Sequence, residues 1–598
     1  MRRRARDGKP FAIIMGLYVV LTFAYSLLLP LGEAPDEPGH YNYARVVAWE
    51  QRLPQGDEEH EAFQPPLYYW LAAPLAGLGD ASQLPLKGNA DFTLAPGGPH
   101  NLLLHTREEA FPYSGWAISW HIVRGFSTLC GLIALWGLLR LSHLITGSQN
   151  IGMVASSLFV LAPSFTLLHG AASNDTLALA LGTMLFGEVA LLVKRDAHGR
   201  RLVLVGILWG LAILSKASML AAGAGIGLAV LLARLRQGGQ HRLLRALWDV
   251  ALVSLGVASV CGWWFVRNTF LYGDPLGWQL VYAINEQRAG AVNWVGQVAG
   301  LWRSYWLSYV GMNLPGWLYL ALLLPLVLSL TGLTKLAISR GRVLASPAVT
   351  VVCLVYVVAF AASWVRWTLA VEGTDQARLL YPALVAAMPA LAVGMVAWAA
   401  PQSQKRVAWL TVALMVVLNL YALTYRVLPV FAPPERIRLA DVPAIGQRVD
   451  FAGRIMLLAY DLPPAVAAGD TLTIRTWWNA PAVTSDDIWL TLRMVSAEGK
   501  VPVWKRGSPS AGRDSTDRWP AGIAILAEHR LRLPPELPPG TYTLEAGLQV
   551  FGQEAWLPAA AGSWGPQELW PLGSVVVRAP TIATDQVDAA CFKPIANW

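Results

Sequence analysis

The sequence predicts a polytopic α-helical membrane bundle of about eleven spans, N-terminus inside and C-terminus outside, followed by an extracytoplasmic antiparallel β-sandwich. Three observations carry this. The chain has 598 residues, 55% of them hydrophobic and only 14% charged, too long and too apolar for one soluble core. Its basic residues fall in alternate short loops between apolar runs. From about residue 432 the composition changes to short alternating runs punctuated by proline. The division is 1–430 for the membrane domain, with an external loop at 32–115, and 431–598 for the sandwich.

The first span is residues 11–31, preceded by Arg2, Arg3, Arg4, Arg6 and Lys9 and without a small-residue cleavage site, which reads as a retained helix with a cytoplasmic N-terminus. Further apolar runs cover 121–145, 151–168, 177–192, 202–214, 219–232, 247–266, 317–333, 349–364, 380–399 and 407–423. Eleven spans place Lys194–Arg201, Arg234–Arg245, Lys335–Arg342 and Lys405–Arg406 on one side. Residues 202–232 are short for two full spans, so a short hairpin is expected whose turn, Ser215-Lys216-Ala-Ser218, is recessed and puts Lys216 in an outward-opening cavity. The net charge of +8 is thus a matter of topology, and nucleic acid is not an expected partner. The 27 tryptophans suit the many span ends as interfacial anchors. Cys130, Cys261 and Cys353 lie in apolar runs and Cys591 stands near the C-terminus, implying neither a disulfide framework nor a zinc site.

After the first span comes Glu33-Ala-Pro35-Asp36-Glu37-Pro38-Gly-His40-Tyr41, where Pro35 and Pro38 keep two acids on a stiff turn at the membrane surface. Glu61-Ala-Phe-Gln64-Pro65-Pro66-Leu-Tyr68-Tyr69-Trp70 follows, and 67–78 is too short to span and fits an interfacial helix. Sorting charge by side gives the outer face Glu33, Asp36, Glu37, His40, Arg45, Asp175, Lys216, Arg267, Asp274, Arg303, Arg366, Glu372, Asp375 and Arg378. Plainer uses exist for each candidate. Asp36 or Glu37 can cap the next helix, His40 can serve packing, Ser173-Asn174-Asp175 is a good N-cap, and Arg267 can snorkel beside Trp263 and Trp264. Lys216 can pair structurally, Arg378 can join a surface pair with Glu372 or Asp375, and the Pro-Pro-Leu-Tyr-Tyr-Trp segment can be an aromatic anchor.

The two external stretches, with Val123-Arg124-Gly-Phe-Ser127, Ser173-Asn174-Asp175, Trp263-Trp264-Phe-Val-Arg267-Asn268, Tyr272-Gly-Asp274-Pro275 and Gln376-Ala-Arg378-Leu-Leu-Tyr381-Pro382, resemble the GT-C superfamily of membrane glycosyltransferases over residues 10–425. The closest resemblance is to the bacterial branch similar to protein O-mannosyltransferases and aminoarabinose transferases. It implies a GT-C-like bundle in the bacterial plasma membrane, a polyprenyl-phosphate sugar as donor, and a glycan, lipid or protein as acceptor. It also implies Asp36 as catalytic base with Glu37 as its neighbour, and His40, Gln64, Arg124, Asp175, Lys216, Arg267 and Arg378 as donor-phosphate or substrate contacts. Where many such sequences carry Lys before the Pro-Pro pair, this chain has Gln64.

The chemistry agrees. A phosphate leaves without a general acid, so the transfer needs cations to hold it and one carboxylate to take the acceptor proton, by an inverting displacement. No cofactor is required; Mg²⁺ or Mn²⁺ on Asp36 and Glu37 is admissible. The C-terminal domain shows no compact triad or metal cluster, and Trp477, Trp478, Trp504 and Trp519 suit a core better than sugar stacking. The resemblance makes it a module that guides acceptor or acts as a lid. Two rivals are a transporter or flippase, which needs polar residues through mid-span, and an envelope binding or assembly protein acting through the β-domain.

Overall fold

The computed structural model describes residues 9–580 apart from 81, 96, 196–198, 239, 342, 345 and 563. Arg2, Arg3, Arg4, Arg6, Arg342, Cys591 and the last part of the expected β-domain lie outside the described residues. The chain divides into two compact units: Met1–Leu84 with Ser114–Pro429, and Pro85–Tyr113 with Val430–Trp598. Residues 85–113, read from the sequence as part of the membrane domain's external loop, therefore belong with the β-unit.

In the first unit, nine helices among the described residues are long and apolar enough to cross a membrane, or ten if one bent pair counts as a single span. The expected eleven differs at two places. The run at 151–168 forms Gln149–Val160 and Pro163–His169, bent by 70°. Pro163 has no N–H to continue the ladder, so it starts a new helix instead. The second place is Gly199–Ser215, which at 17 residues is at the short end of what spans. Its partner runs Ala217–Gln237. The pair is longer than the apolar run suggested because Arg200, Arg201, Arg234 and Arg236 are helical too. Lys216 sits in the break between them. Three helices lie centrally, Gly115–Thr146, Asn174–Arg195 and Ala377–Val396, with 61%, 72% and 61% of their apolar windows buried. Arg242–Tyr272 and Gly316–Ile338 are peripheral at 17% each, leaving apolar surface that suits lipid. Between the first span and Gly115 lie two short helices, Glu37–Glu50 and Leu67–Ala76, the latter matching the interfacial helix expected at 67–78.

The β-unit has a seven-stranded and a six-stranded sheet. The first runs in the order Trp564–Gln567, Ala559–Ala561, Val449–Phe451, Ile455–Asp461, Thr471–Asn479, Ile523–Arg532, Glu435–Arg438. The second runs Ala465–Ala467, Trp570–Arg578, Gly540–Val550, Ile488–Ser496, Val503–Gly507, with Trp556–Leu557 paired to Gly540–Val550 as the sixth strand. Alternation sends every second side chain inward, and both sheets contribute to one core, with Leu457, Ile474 and Trp478 from one and Leu492, Leu544 and Val575 from the other. The sandwich is not wholly antiparallel, since Ala465–Ala467 pairs parallel with Val576–Arg578 at its edge. Trp478 and Trp519 are buried and Trp477 nearly so, while Trp504 is 65% exposed.

Residues 85–113 are built into this unit. Asp91 is buried, its Oδ2 accepting from Ser508 N (3.0 Å) and its Oδ1 paired with Lys505 Nζ (2.7 Å). Asn89 and Asn101 donate to Gly512 O at 2.9 and 2.8 Å, and Lys87 Nζ meets Asp487 at 2.9 Å. The connector Gly507-Ser-Pro-Ser-Ala-Gly512 thus receives Asp91. Gly512 holds φ +80, and a Cβ there would lie 2.4 Å from the Asp91 Cβ.

Asp91→Ala leaves Lys505 unpaired in a half-buried setting and should lower the stability of the β-unit by about 3 kcal/mol, read as an earlier unfolding transition of that unit in the detergent-solubilised chain. His529, hydrogen-bonded to Thr476 Oγ1 (3.1 Å), is pushed down to about 4 by burial, with the Asp91 charge opposing. A base held neutral in the folded state stabilises fully above its ordinary 6.5 and loses that contribution as pH falls towards 4. Asp514, pushed up to about 6 by burial, works the other way over the lower part of this window, so parent and variant must be compared. His529→Gln should lose less stability than the parent on acidification, by about 2 kcal/mol, in unfolding measured at both ends of the window.

Candidate functional site

The acidic turn is fixed by a buried ion pair. Glu37 opens the helix Glu37–Glu50, and both its carboxylate oxygens face Arg124 of the central helix Gly115–Thr146, at 2.7 Å from Nε and 2.7 Å from Nη2. Trp120 Nε1 and the Ala172 amide donate to Oε1 at 3.0 Å each, and Gly32 N donates to Oε2 at 3.1 Å. Arg124 spends its remaining donors on the carbonyls of Ser26, Leu29 and Pro30, which are the orphan acceptors where the first helix ends. Both side chains have zero exposure. Burial raises the Glu37 carboxyl, but the Arg124 charge and these donors outweigh it and hold it below the carboxylate range.

This knot leaves Asp36 at the helix N-cap with φ 58 and ψ 9, its side chain 36% exposed. It faces a cavity of about 410 Å³ lined also by His40, His60, Glu61, Phe63, Gln64, Asn174, Lys216, Trp278, Trp364, Arg366, Trp367 and Arg378. Arg378, on the 3₁₀ turn Ala377–Leu380, donates through Nη2 to Asp36 Oδ2 and through Nη1 to Asp175 Oδ2 (3.5 Å). Asp175 is also paired with Lys216. Asn174 locks the Lys216 break, its Nδ2 donating to Ser215 O (3.1 Å) and to Gln64 Oε1 (3.1 Å). Arg366 stacks 4.5 Å over the Trp278 ring. The 3₁₀ turn is a partition: Arg378 and Leu379 line this cavity, whereas Ala377 and Leu380 line a second of about 290 Å³ walled by Trp302, Trp306, Leu326 and Leu384.

The tyrosines after Pro65-Pro66 tie the loops together. Tyr68 accepts from Ser173 N (3.0 Å) and shares a hydrogen bond with Ser127 Oγ (2.7 Å). Tyr69 is hydrogen-bonded to His40 Nδ1 (2.9 Å) and stacks 3.7 Å from Tyr43. Around them the protonation states diverge. Burial raises the Asp36 carboxyl, but the Arg378 charge, with His40 assisting, holds it well below the usual range. Burial pushes Glu59 up to about 7 and pushes His40 down, while the hydrogen bond to Glu61 pulls His60 up.

Of the residues singled out in the sequence, Asp36, His40, Gln64, Lys216 and Arg378 meet at the cavity, and Asp175 stands behind them holding both cations. Three do not. Glu37 and Arg124 are consumed by each other, which removes Glu37 from the metal and acceptor roles expected of it. Arg267 stacks 4.8 Å from the Trp264 ring and donates to Pro54 O (3.4 Å), the snorkelling alternative. Arg378 pairs with Asp36 and Asp175 rather than with Glu372, which instead meets Arg288 (2.8 Å), or Asp375. His60 and Glu61 went unassigned although they immediately precede the Gln64-Pro65-Pro66 stretch, and Arg366 was placed on the outer face without a role.

The sequence matches no protein-family model and no curated protein sequence. Among solved structures, ArnT from Cupriavidus metallidurans bound to undecaprenyl phosphate is similar at 14% identity over 71% of this chain and 74% of that one, with a TM-score of 0.43. The apo form of the same protein gives 15% identity over 67% and 62%, with a TM-score of 0.42. The C-terminal domain of wzt gives 13% identity over 25% of this chain and 99% of that domain, with a TM-score of 0.19.

Because Glu37 and Arg124 neutralise each other where water does not reach, removing either leaves an uncompensated buried charge. Arg124→Met and Glu37→Gln should each lower thermal stability in detergent by about 3–5 kcal/mol. Asp36→Asn, at the neighbouring position, should change it by under about 1 kcal/mol.

Proposed function

We propose that the chain is a GT-C-type glycosyltransferase that moves a sugar from a polyprenyl-phosphate donor to the hydroxyl of a glycan, lipid or protein acceptor, with inversion, on the outer face of the bacterial plasma membrane. The observation that carries this reading is the meeting of a water-accessible carboxylate, Asp36, with Arg378 and Lys216 around a single cavity. The arrangement has the composition the reaction needs, a base beside several cations. The partition at Ala377–Leu380 adds support, because a polyprenyl phosphate is itself divided into an apolar tail and a charged head, and Arg378 projects from the seam between an apolar and a polar cavity.

In the reaction the acceptor oxygen attacks the anomeric carbon, the bond from that carbon to the phosphate oxygen breaks, and its electron pair leaves on the phosphate. The acceptor proton goes to Asp36. Arg378 and Lys216 bind the phosphate and stabilise the charge that grows on it. In the structure Arg378 is paired with Asp36. An arriving phosphate competes for that guanidinium and releases the carboxylate to act as base. Trp278, Trp364 and Trp367 offer flat apolar walls to the sugar. In this reading the β-unit is the part of the chain that guides the acceptor.

Asp36→Asn should lower transfer from polyprenyl-phosphate sugars by about 10²–10⁴-fold with the fold and insertion intact. Arg378→Ala and Lys216→Ala should weaken binding of a sugar-free polyprenyl phosphate. Full activity in Asp36→Asn removes the assignment.

A further inference from the structure

Beside Asp36 the cavity is lined by two side chains, His40 and Glu61, that the transfer reaction above does not use. Asp36, His40 and Glu61 each offer a ligand atom, and these atoms all lie within 4.8 Å of one another. They come from two elements whose placement is independently fixed. Asp36 and His40 stand one turn apart at the start of the helix Glu37–Glu50, which the Glu37–Arg124 knot anchors, and Glu61 precedes the helix Leu67–Ala76, whose Tyr69 holds His40. The Glu61 side chain is 3% exposed, and its Oε2 has no hydrogen-bond donor although it lies 3.9 Å from His40 Nδ1. The other oxygen, Oε1, is held by His60 Nδ1 at 3.1 Å. His40 is 1% exposed; Nδ1 meets Tyr69, and Nε2 is buried without a partner.

A buried carboxylate oxygen and a buried imidazole nitrogen left without partners cost free energy in a folded protein unless something binds them. Ligands held at about 2.1 Å from one ion sit roughly 3–4 Å apart, so three ligand atoms within 4.8 Å of one another need only a small adjustment to close on a single cation. The surroundings resemble a built site: the Glu61 carboxylate is itself hydrogen-bonded and the His40 ring is oriented by a tyrosine, as ligands commonly are. Glu37, by contrast, has no lone pair to spare.

We propose that Asp36, His40 and Glu61 bind a divalent cation of the Mn²⁺ or Zn²⁺ class, open on one side to the cavity. One imidazole with two carboxylates favours these ions over Mg²⁺, which takes oxygen ligands in near-ideal octahedra. The site deepens the glycosyltransferase reading, on which its role rests: the open positions face the space where a donor phosphate oxygen or an acceptor hydroxyl is accommodated.

The test is metal content and binding on the full chain in detergent, read apart from activity. Purified protein stripped with EDTA and titrated with Mn²⁺ should quench the free-ion EPR signal with one ion per chain, and Zn²⁺ should compete for the same site. Glu61→Gln and His40→Gln should each reduce that binding at least tenfold while keeping the parent's thermal transition, and Asp57→Asn, an exposed acid of the same loop, should leave it unchanged. Should His40→Gln fail to fold, Glu61→Gln decides alone, since it conserves size and the His60 contact. No stoichiometric Mn²⁺ or Zn²⁺ binding by the parent, or binding untouched by Glu61→Gln, overturns the proposal. If that happens while Asp36→Asn still abolishes transfer, the metal site is lost and the enzyme reading stands; if metal binds but Asp36→Asn transfers normally, the reverse holds.

Discussion

The site depends on Glu37 and Arg124. Neither lines the cavity, yet the elements that place Asp36 are aligned through them: the end of the first helix, the turn at Gly32, the helix carrying Asp36 and His40, the central helix Gly115–Thr146, and the loop at Ala172 that leads into Asp175. A neutral hydrogen-bond network of the same span would tolerate adjustment. A fully buried ion pair does not, because any lengthening exposes unpaired charge to a medium that cannot solvate it. The consequence is a preorganised Asp36, held at positive φ on a turn that proline on either side also stiffens.

Around Asp36 the charges are arranged in a chain of alternating sign, Asp36 to Arg378 to Asp175 to Lys216. Each cation is neutralised by an acid, which makes the cavity tolerable near a membrane in the absence of substrate. The same arrangement sets a competition: an anion entering the cavity gains the cations only by displacing carboxylates. Affinity is lowered by that exchange, and selectivity is raised, since the two free oxygens of a phosphodiester can replace two carboxylate contacts where an anion with a single acceptor cannot.

Much of the fold is written in the apolar periodicity. The helical runs, the change of composition near residue 432 and the strands at 471–479, 488–496 and 540–550 follow from side-chain patterns that burial enforces. Asp36, Lys216 and Arg378 were legible because charge at a span end needs a reason. Three things were not. The Glu37–Arg124 pair spans 87 positions, and no local signal says which of two adjacent acids turns inward. His60 and Glu61 were hidden in an unpatterned loop, where burial cannot be read from periodicity. The strand Ile523–Arg532 is hard to read because its alternation carries Glu528, His529 and Arg530 within a run that reads as polar.

The β-unit is assembled from two pieces of chain separated by all but the first of the membrane spans: Asp91 accepts from a residue 417 positions further on. During synthesis the segment 85–113 emerges early and must wait, its Asp91 and its asparagines solvated, until residues 503–514 have been made. Loop closure over such a distance is slow, and a domain completed by its earliest and latest parts cannot fold as an autonomous late module. Its native contacts therefore form only after the intervening helices have been synthesised, which couples completion of the sandwich to completion of the chain.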